Sequence, residues 1–206
     1  GLAGSPDPRV VQLAVAGTIF YVVHHIVVKS CLFLVGGIAE RVSGSQHLKQ
    51  MGGILDVAPG VGGLFIVAAL SLAGMPPFSG FLSKFVLAQA ALAGGNYVVV
   101  FIAVITSFLT LYSMSKIWSY AFWGERRNQA VPAGYRGMMA PTAVLVAFTI
   151  VMGLFAQPFL GLATRAAETI TKPEEYIRVV LGAKQNRLAE MPRPSAQVVA
   201  RAEEGR

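Results

Sequence analysis

The chain has 206 residues, of which 54% are hydrophobic and only 13% charged, and its net charge is +7. Soluble domains carry about twice that share of charged residues, and the oily residues here come in long blocks, so the composition excludes an ordinary soluble domain and points to an integral membrane protein. The basic residues lie between and after those blocks, where they flank a bilayer rather than bind nucleic acid.

Residues 1–9 form a Gly/Pro/Asp loop in which Asp7-Pro8 makes a turn before a helix. The opening GLAGSPDPRV has no initiator methionine and no basic signal-peptide start, so a longer parent chain is expected. The first span covers residues 10–39 and holds His24, His25 and Lys29 well inside it. It also holds Cys31, the sole cysteine, which leaves no disulfide framework or cysteine metal cluster to build. Residues 40–57 are polar and Gly-rich and read as a loop.

The second span, residues 58–93, is too long for the roughly 20 residues of a straight crossing helix. It contains Pro76-Pro77, and two consecutive prolines cannot continue a helix. The first half should therefore end near Gly74, leaving the last carbonyls, around Ser71 to Gly74, without intrahelical partners. The second half should start near Ser79, with the Ser79 hydroxyl as its N-terminal cap, followed by Gly80. Lys84 then sits in the opening turns of the new helix. There the positive end of the peptide dipoles opposes its charge and the free carbonyls upstream favour it. A lysine between those influences is a candidate for gaining and losing a proton. The alternative is a lysine that reaches to the interface from a helix end. The interruption favours the first reading, because irregular backbone at membrane depth survives only against protein or a wet cavity.

Gly94, Gly95 and Asn96 make a tight turn into a third span, residues 97–122, whose far end carries Tyr112, Trp118 and Tyr120, with Trp123 just beyond. Those aromatics fit an interfacial belt, with Lys116 snorkelling among them. Residues 123–137 are a basic loop, and the fourth span runs over 138–163, entered through Pro141 and loosened by Pro158. The charged tail, 164–206, should hold a short amphipathic surface helix at about 173–190 before a disordered end. The fold class is thus all-α: a polytopic membrane bundle of four spans, the second broken, plus that surface helix. Loops 40–57 and 123–137 share one side, with Arg41, Lys49, Arg126, Arg127 and Arg136, against Arg9, Arg165, Lys172 and Arg178 on the other. That count leans the two loops toward the cytoplasm.

An ionisable residue at bilayer depth costs about 2.5–3.5 kcal/mol on insertion scales and is a functional candidate by default. His25 and Lys29 are four apart and share a helix face that Tyr21 extends, so the pair can relay a proton. His24 points about 100° away. It joins the candidates, although a histidine hydrogen-bonded in a helix interface accounts for it as well. No carboxylate lies within any span, so the counter-charge must come from further membrane protein. Gly36, Gly37, Gly60, Gly62 and Gly63 would permit close helix contact with it.

The segments HHIVVKSCLFLVGG and SLAGMPPFSGFLSKFVLAQ resemble the antiporter-like membrane subunits shared by respiratory complex I and the Mrp-type cation/proton antiporters. His25, Lys29 and the stretch Gly74 to Lys84 match the family's His/Lys helix and its broken helix position by position. LYSMSKIWSYAFWGE and YIRVVLG look more like the D-type member of the Mrp antiporter than like a complex I component. The resemblance implies the C-terminal part of a larger subunit, with Lys84, Lys29, His25 and His24 on a proton path and Pro76, Pro77, Ser79 and Gly80 forming the break. It implies partners as well: the missing N-terminal half, other membrane subunits, the bilayer, protons and Na⁺. No cofactor is expected, since the chain shows no flavin, quinone or iron–sulfur motif. Two alternatives stand beside it: a proton-pumping subunit of complex I or a membrane-bound hydrogenase, and a non-conducting scaffold.

Overall fold

The computed structural model describes residues 5–125, 134–172, 178 and 181. Seven α-helices follow one another along these residues, with no strand among them. Helix α1 spans Pro8–Ser43, α2 is a single turn at Ile54–Val57, and α3 and α4 cover Pro59–Ala73 and Ser79–Ala93. Helix α5 runs Tyr97–Ile117 and continues into a wider π-helical turn at Trp118–Phe122, followed by α6 at Arg136–Leu154 and α7 at Ala156–Thr171.

The helix ends follow local chemistry. Asp7 caps α1 by accepting a 2.8 Å bond from the Arg9 N–H, and Pro8 occupies the first position, where its missing N–H costs nothing. Gly44, at φ 72°, closes the other end. At 36 residues, α1 is roughly 54 Å long, enough to cross a bilayer and project beyond it. Helices α3 and α4 have 15 residues each, or roughly 22 Å, short of the ~30 Å hydrocarbon core. Neither half crosses alone, which puts their junction at membrane depth.

Two apolar clusters hold the bundle. The larger joins Val28, Val35 and Ile38 of α1 to Val61, Phe65 and Ala68 of α3 and to Phe122. The smaller joins Phe20, Met152 and Ala163. Lipid is as apolar as these side chains, so close fit rather than exclusion from water drives helix association here. Within the chain, that fit is not supplied chiefly by the glycines expected to face further membrane protein. A Cβ on Gly36 or Gly63 would meet nothing within 4 Å, and one on Gly37 would make only an ordinary contact with Met138, at 3.8 Å. The close approaches lie at Gly17, where a Cβ would stand 3.0 Å from Val86, and at Gly80 and Gly153, both against the broken segment. Gly60 and Gly62 press only on ends of side chains, Met139 and Leu55.

The apolar run 138–163 folds as two helices, α6 and α7, divided at Phe155. Pro158 explains the division, because it has no N–H to offer the Leu154 carbonyl four residues back and its ring crowds that oxygen. The aromatic cluster also folds inward in part. Trp118 stacks on Phe122 with ring centroids 4.9 Å apart, and Phe122 lies 4.9 Å from Phe65 of α3, while Tyr112 and Trp123 stay exposed. No residue of α5 from Tyr97 to Ile117 is buried. The expected surface helix at 173–190 lies outside the described residues, apart from Arg178 and Leu181, which are helical.

Candidate functional site

The break between α3 and α4 begins as a helix-capping problem. The last four carbonyls of α3, Leu70 to Ala73, have no intrahelical donors. Gly74 turns the chain at φ 88°, a conformation glycine adopts freely, and its N–H bonds Leu70 and Ser71, both at 3.1 Å. The Met75 N–H adds a 3.0 Å bond to Leu70, which completes a Schellman turn. Leu72 and Ala73 remain. Lys84 supplies both: its Nζ donates to the Leu72 carbonyl at 3.0 Å and to the Ala73 carbonyl at 2.9 Å. Its third proton goes to the Ser107 hydroxyl of α5, also at 2.9 Å. The ammonium's three donors thus meet three acceptors, two of them at the negative end of a helix.

The side chain of Lys84 reaches there by folding over Gly74, where a Cβ would stand 2.9 Å from its Cδ. A cavity of about 270 Å³ opens beside the amine, lined by Gly74, Phe81, Phe85, Val104, Ser107 and Leu111 among others. The amine is therefore held between the end of α3 and Ser107 of α5.

On the opposite side of α4, His24 approaches the same break. Its Nδ1 lies 2.8 Å from the Ser79 hydroxyl, which in turn lies 3.5 Å from the Ser71 hydroxyl. All three residues are fully buried. The expected capping role of Ser79 does not materialise, because the cap residue is Phe78 and no side chain bonds the opening N–H groups of α4. The Ser79 hydroxyl turns to α1 instead. His24 Nε2 has no partner among the described residues.

Backbone contact makes this arrangement possible. A Cβ on Gly80 would collide with the Ser71 carbonyl oxygen and lie 3.0 Å from His24 Cε1. The first turn of α4 therefore lies beside the last turn of α3 instead of continuing it end to end. From the third side, Gly153 of α6 fits against the break: a Cβ there would collide with the Pro77 carbonyl oxygen and stand 2.8 Å from the Ser79 nitrogen. Pro76-Pro77 is a cis peptide within this turn.

Of the sequence candidates, Lys84, His24, Pro76, Pro77, Ser79 and Gly80 come together at one locus. His25 and Lys29 do not join it through any hydrogen bond. His25 lies tilted against Tyr21, at 5.5 Å between centroids, and its Nδ1 is unpartnered among the described residues. Lys29 is exposed and borders a separate, mainly apolar cavity of about 360 Å³ with Gln46, Phe65 and Met114. The helix-interface account of His24 therefore matches its hydrogen bond, and the interface is the break itself. Sequence reasoning missed Ser107, the Ser71 side chain and Gly153. A serine within FIAVITSFLTLYS carries no signal of its own, since Thr106 and Thr110 on the same helix bond only back to Ile102 and Thr106.

Residues 10–110 match the family described as NADH:quinone oxidoreductase/Mrp antiporter, TM, which takes in α1, α3, α4 and the serine of α5. Over 172 residues the chain is 44% identical to the D subunit of the Na(+)/H(+) antiporter of Alkalihalophilus pseudofirmus, covering 82% of this chain and 35% of that protein. The corresponding protein of Bacillus subtilis is 34% identical over 170 residues, 82% of this chain and 34% of that one. A chain in the structure of the Mrp complex from Dietzia sp. superposes with a TM-score of 0.75 at 33% identity, over 82% of this chain and 40% of that chain. The chain thus spans about a third of the length of the curated relatives it matches.

Proposed function

This chain belongs to the NADH:quinone oxidoreductase/Mrp antiporter transmembrane family, and from that premise we propose that it is the proton-conducting part of a D-type component of a multisubunit Na⁺/H⁺ antiporter. The observation that carries the proposal is Lys84, an amine held at the break by two helix-end carbonyls and a hydroxyl. In this reading Lys84 takes up and releases protons at the junction. The His24–Ser79–Ser71 line leads away from the break toward α1, where His25 and Lys29 extend the route along the membrane. The rest of the subunit and neighbouring membrane subunits provide the carboxylates that the spans lack.

The relatives are named as antiporter subunits, which favours cation exchange over the alternative of a redox-driven proton pump of the complex I kind. The family model covers both, so the choice rests on those names. The expected setting is a bacterial plasma membrane with residues 40–57 and 123–137 on the cytoplasmic side. A Gln46→Cys label accessible only from the cytoplasm, in a complex cleared of other reactive cysteines, checks that orientation.

The deciding experiment replaces Lys84 with arginine in the full subunit, within its assembled complex, and follows Na⁺-induced collapse of a pH gradient in everted vesicles. Arginine still donates to the Leu72 and Ala73 carbonyls but does not deprotonate in proteins. Normal assembly with loss of exchange is expected. Wild-type exchange by Lys84→Arg would overturn the reading and leave a lysine that only holds the bundle together.

A further inference from the structure

The geometry points to Ser107 of α5 as the residue that positions Lys84 in both of its protonation states. This inference rests on the proposed proton exchange at Lys84 and adds a second residue to it. The three partners of Nζ are not equivalent. Backbone carbonyls accept hydrogen bonds and never donate them, so Leu72 and Ala73 serve the amine only as it donates. A neutral amine has two N–H groups and one lone pair. The lone pair needs a donor, and Ser107 is the one partner able to supply it.

The serine is set up for that exchange. Its hydroxyl now donates to the Ala103 carbonyl at 2.9 Å, the back-bond of a helical serine, and accepts from Nζ at 2.9 Å. Once the ammonium gives up its proton, rotation about one side-chain bond swings the hydroxyl hydrogen from the Ala103 carbonyl to the amine nitrogen. The Ala103 carbonyl keeps its helical N–H partner, so the swing leaves no backbone group orphaned. No atom of the main chain moves, and Lys84 stays over the end of α3, ready for the next proton. Without the hydroxyl, the neutral amine is held by two bonds and faces the open cavity beside Gly74, Phe81 and Phe85. Helix α5 buries none of its own residues fully, yet its half-buried serine reaches the break.

Among the described residues, few other ionisable groups surround the amine. From α1, His24 and His25 lie within reach of the Lys84 charge. Helix α3 has no titratable residue, α4 none besides Lys84, α6 only Arg136, and α5 has Tyr97, Tyr112 and Lys116.

The test uses the full subunit in its complex, with exchange measured in everted vesicles across a range of pH and normalised to assembled complex. Ser107→Ala should lower the initial rate about three- to ten-fold, as expected for losing one hydrogen bond of ordinary net strength. Its pH profile should also shift by about half a unit, since the two protonation states lose bonds of unequal strength. Ser107→Thr should restore both rate and profile, because threonine keeps the hydroxyl in the same back-bonded position as Thr106 and Thr110. Thr106→Ala, an exposed neighbour, should match wild type. A Ser107→Ala variant with wild-type rate and profile, in a background where Lys84→Arg abolishes exchange, would overturn the role of Ser107 alone. A Ser107→Thr variant as impaired as Ser107→Ala would do the same. Wild-type exchange by Lys84→Arg would instead remove the underlying proton-exchange reading.

Discussion

Replacing Gly80 with alanine tests the junction on which the site depends. In a helix the added methyl would ordinarily stabilise by up to about 1 kcal/mol. Here it enters occupied space: the new Cβ would collide with the Ser71 carbonyl oxygen, stand 2.9 Å from the carbonyl carbon, and lie 3.0 Å from His24 Cε1. Those neighbours are backbone and a fully buried ring, not the free end of a flexible side chain. Relief requires α4 to move off α3, which stretches the His24–Ser79 bond of 2.8 Å and the Lys84 bonds of 3.0 and 2.9 Å. Overpacking of a well-filled site costs about 1–3 kcal/mol, and loosened bonds to the ammonium add to it. A net loss of about 2 kcal/mol or more is expected, with exchange falling further than assembly. The control is Gly63→Ala in α3, where a Cβ meets nothing within 4 Å. It should be neutral or slightly stabilising. The assay is the thermal midpoint of the detergent-extracted complex, read as loss of the subunit from the assembled band, alongside vesicle exchange. A Gly80→Ala complex as heat-resistant and as active as Gly63→Ala would refute the close side-by-side contact of α3 and α4.

Gly153→Ala should destabilise to a similar degree, since its Cβ would press on the backbone of Pro77, Phe78 and Ser79 from α6; the same thermal midpoint checks it. Ser79→Ala removes the partner of His24 Nδ1 and leaves a buried ring whose Nε2 is already unpartnered among the described residues. A loss of about 1–3 kcal/mol is expected from the stranded nitrogen, and Ser79→Thr, which keeps a hydroxyl, should lose less on the same heat scale. Asp7→Ala removes the cap of α1 and should cost about 1 kcal/mol without altering the pH profile of exchange, because the cap is remote from the break.

Much of the helical order was legible in the sequence because its punctuation is local. Asp7-Pro8 starts α1, Gly74 ends α3, Pro76-Pro77 prevents its continuation, and Gly95, at φ 69°, turns the chain into α5. Each acts through its own backbone and needs no distant partner. The fourth apolar run was harder, since hydropathy does not fall at Phe155 and the effect of Pro158 is felt four residues upstream. His25 and Lys29 share a helix face by their spacing, yet periodicity does not say which face meets another helix. His24, one residue away, meets the break because α1 turns that side toward Gly80, and only glycine there allows the approach.

By itself, then, the sequence determined that the chain lives in a bilayer, where its helices stop, and that a lysine follows an interruption at membrane depth. The tertiary structure decided what the lysine holds. Leu72 and Ala73 lie 12 and 11 residues from Lys84, and Ser107 lies 23 residues away on another helix. Local propensity fixes which carbonyls a broken helix leaves free. Which side chain reaches them depends on how closely α3, α4 and α5 approach, and that distance is set by a few missing methyl groups that hydropathy cannot see.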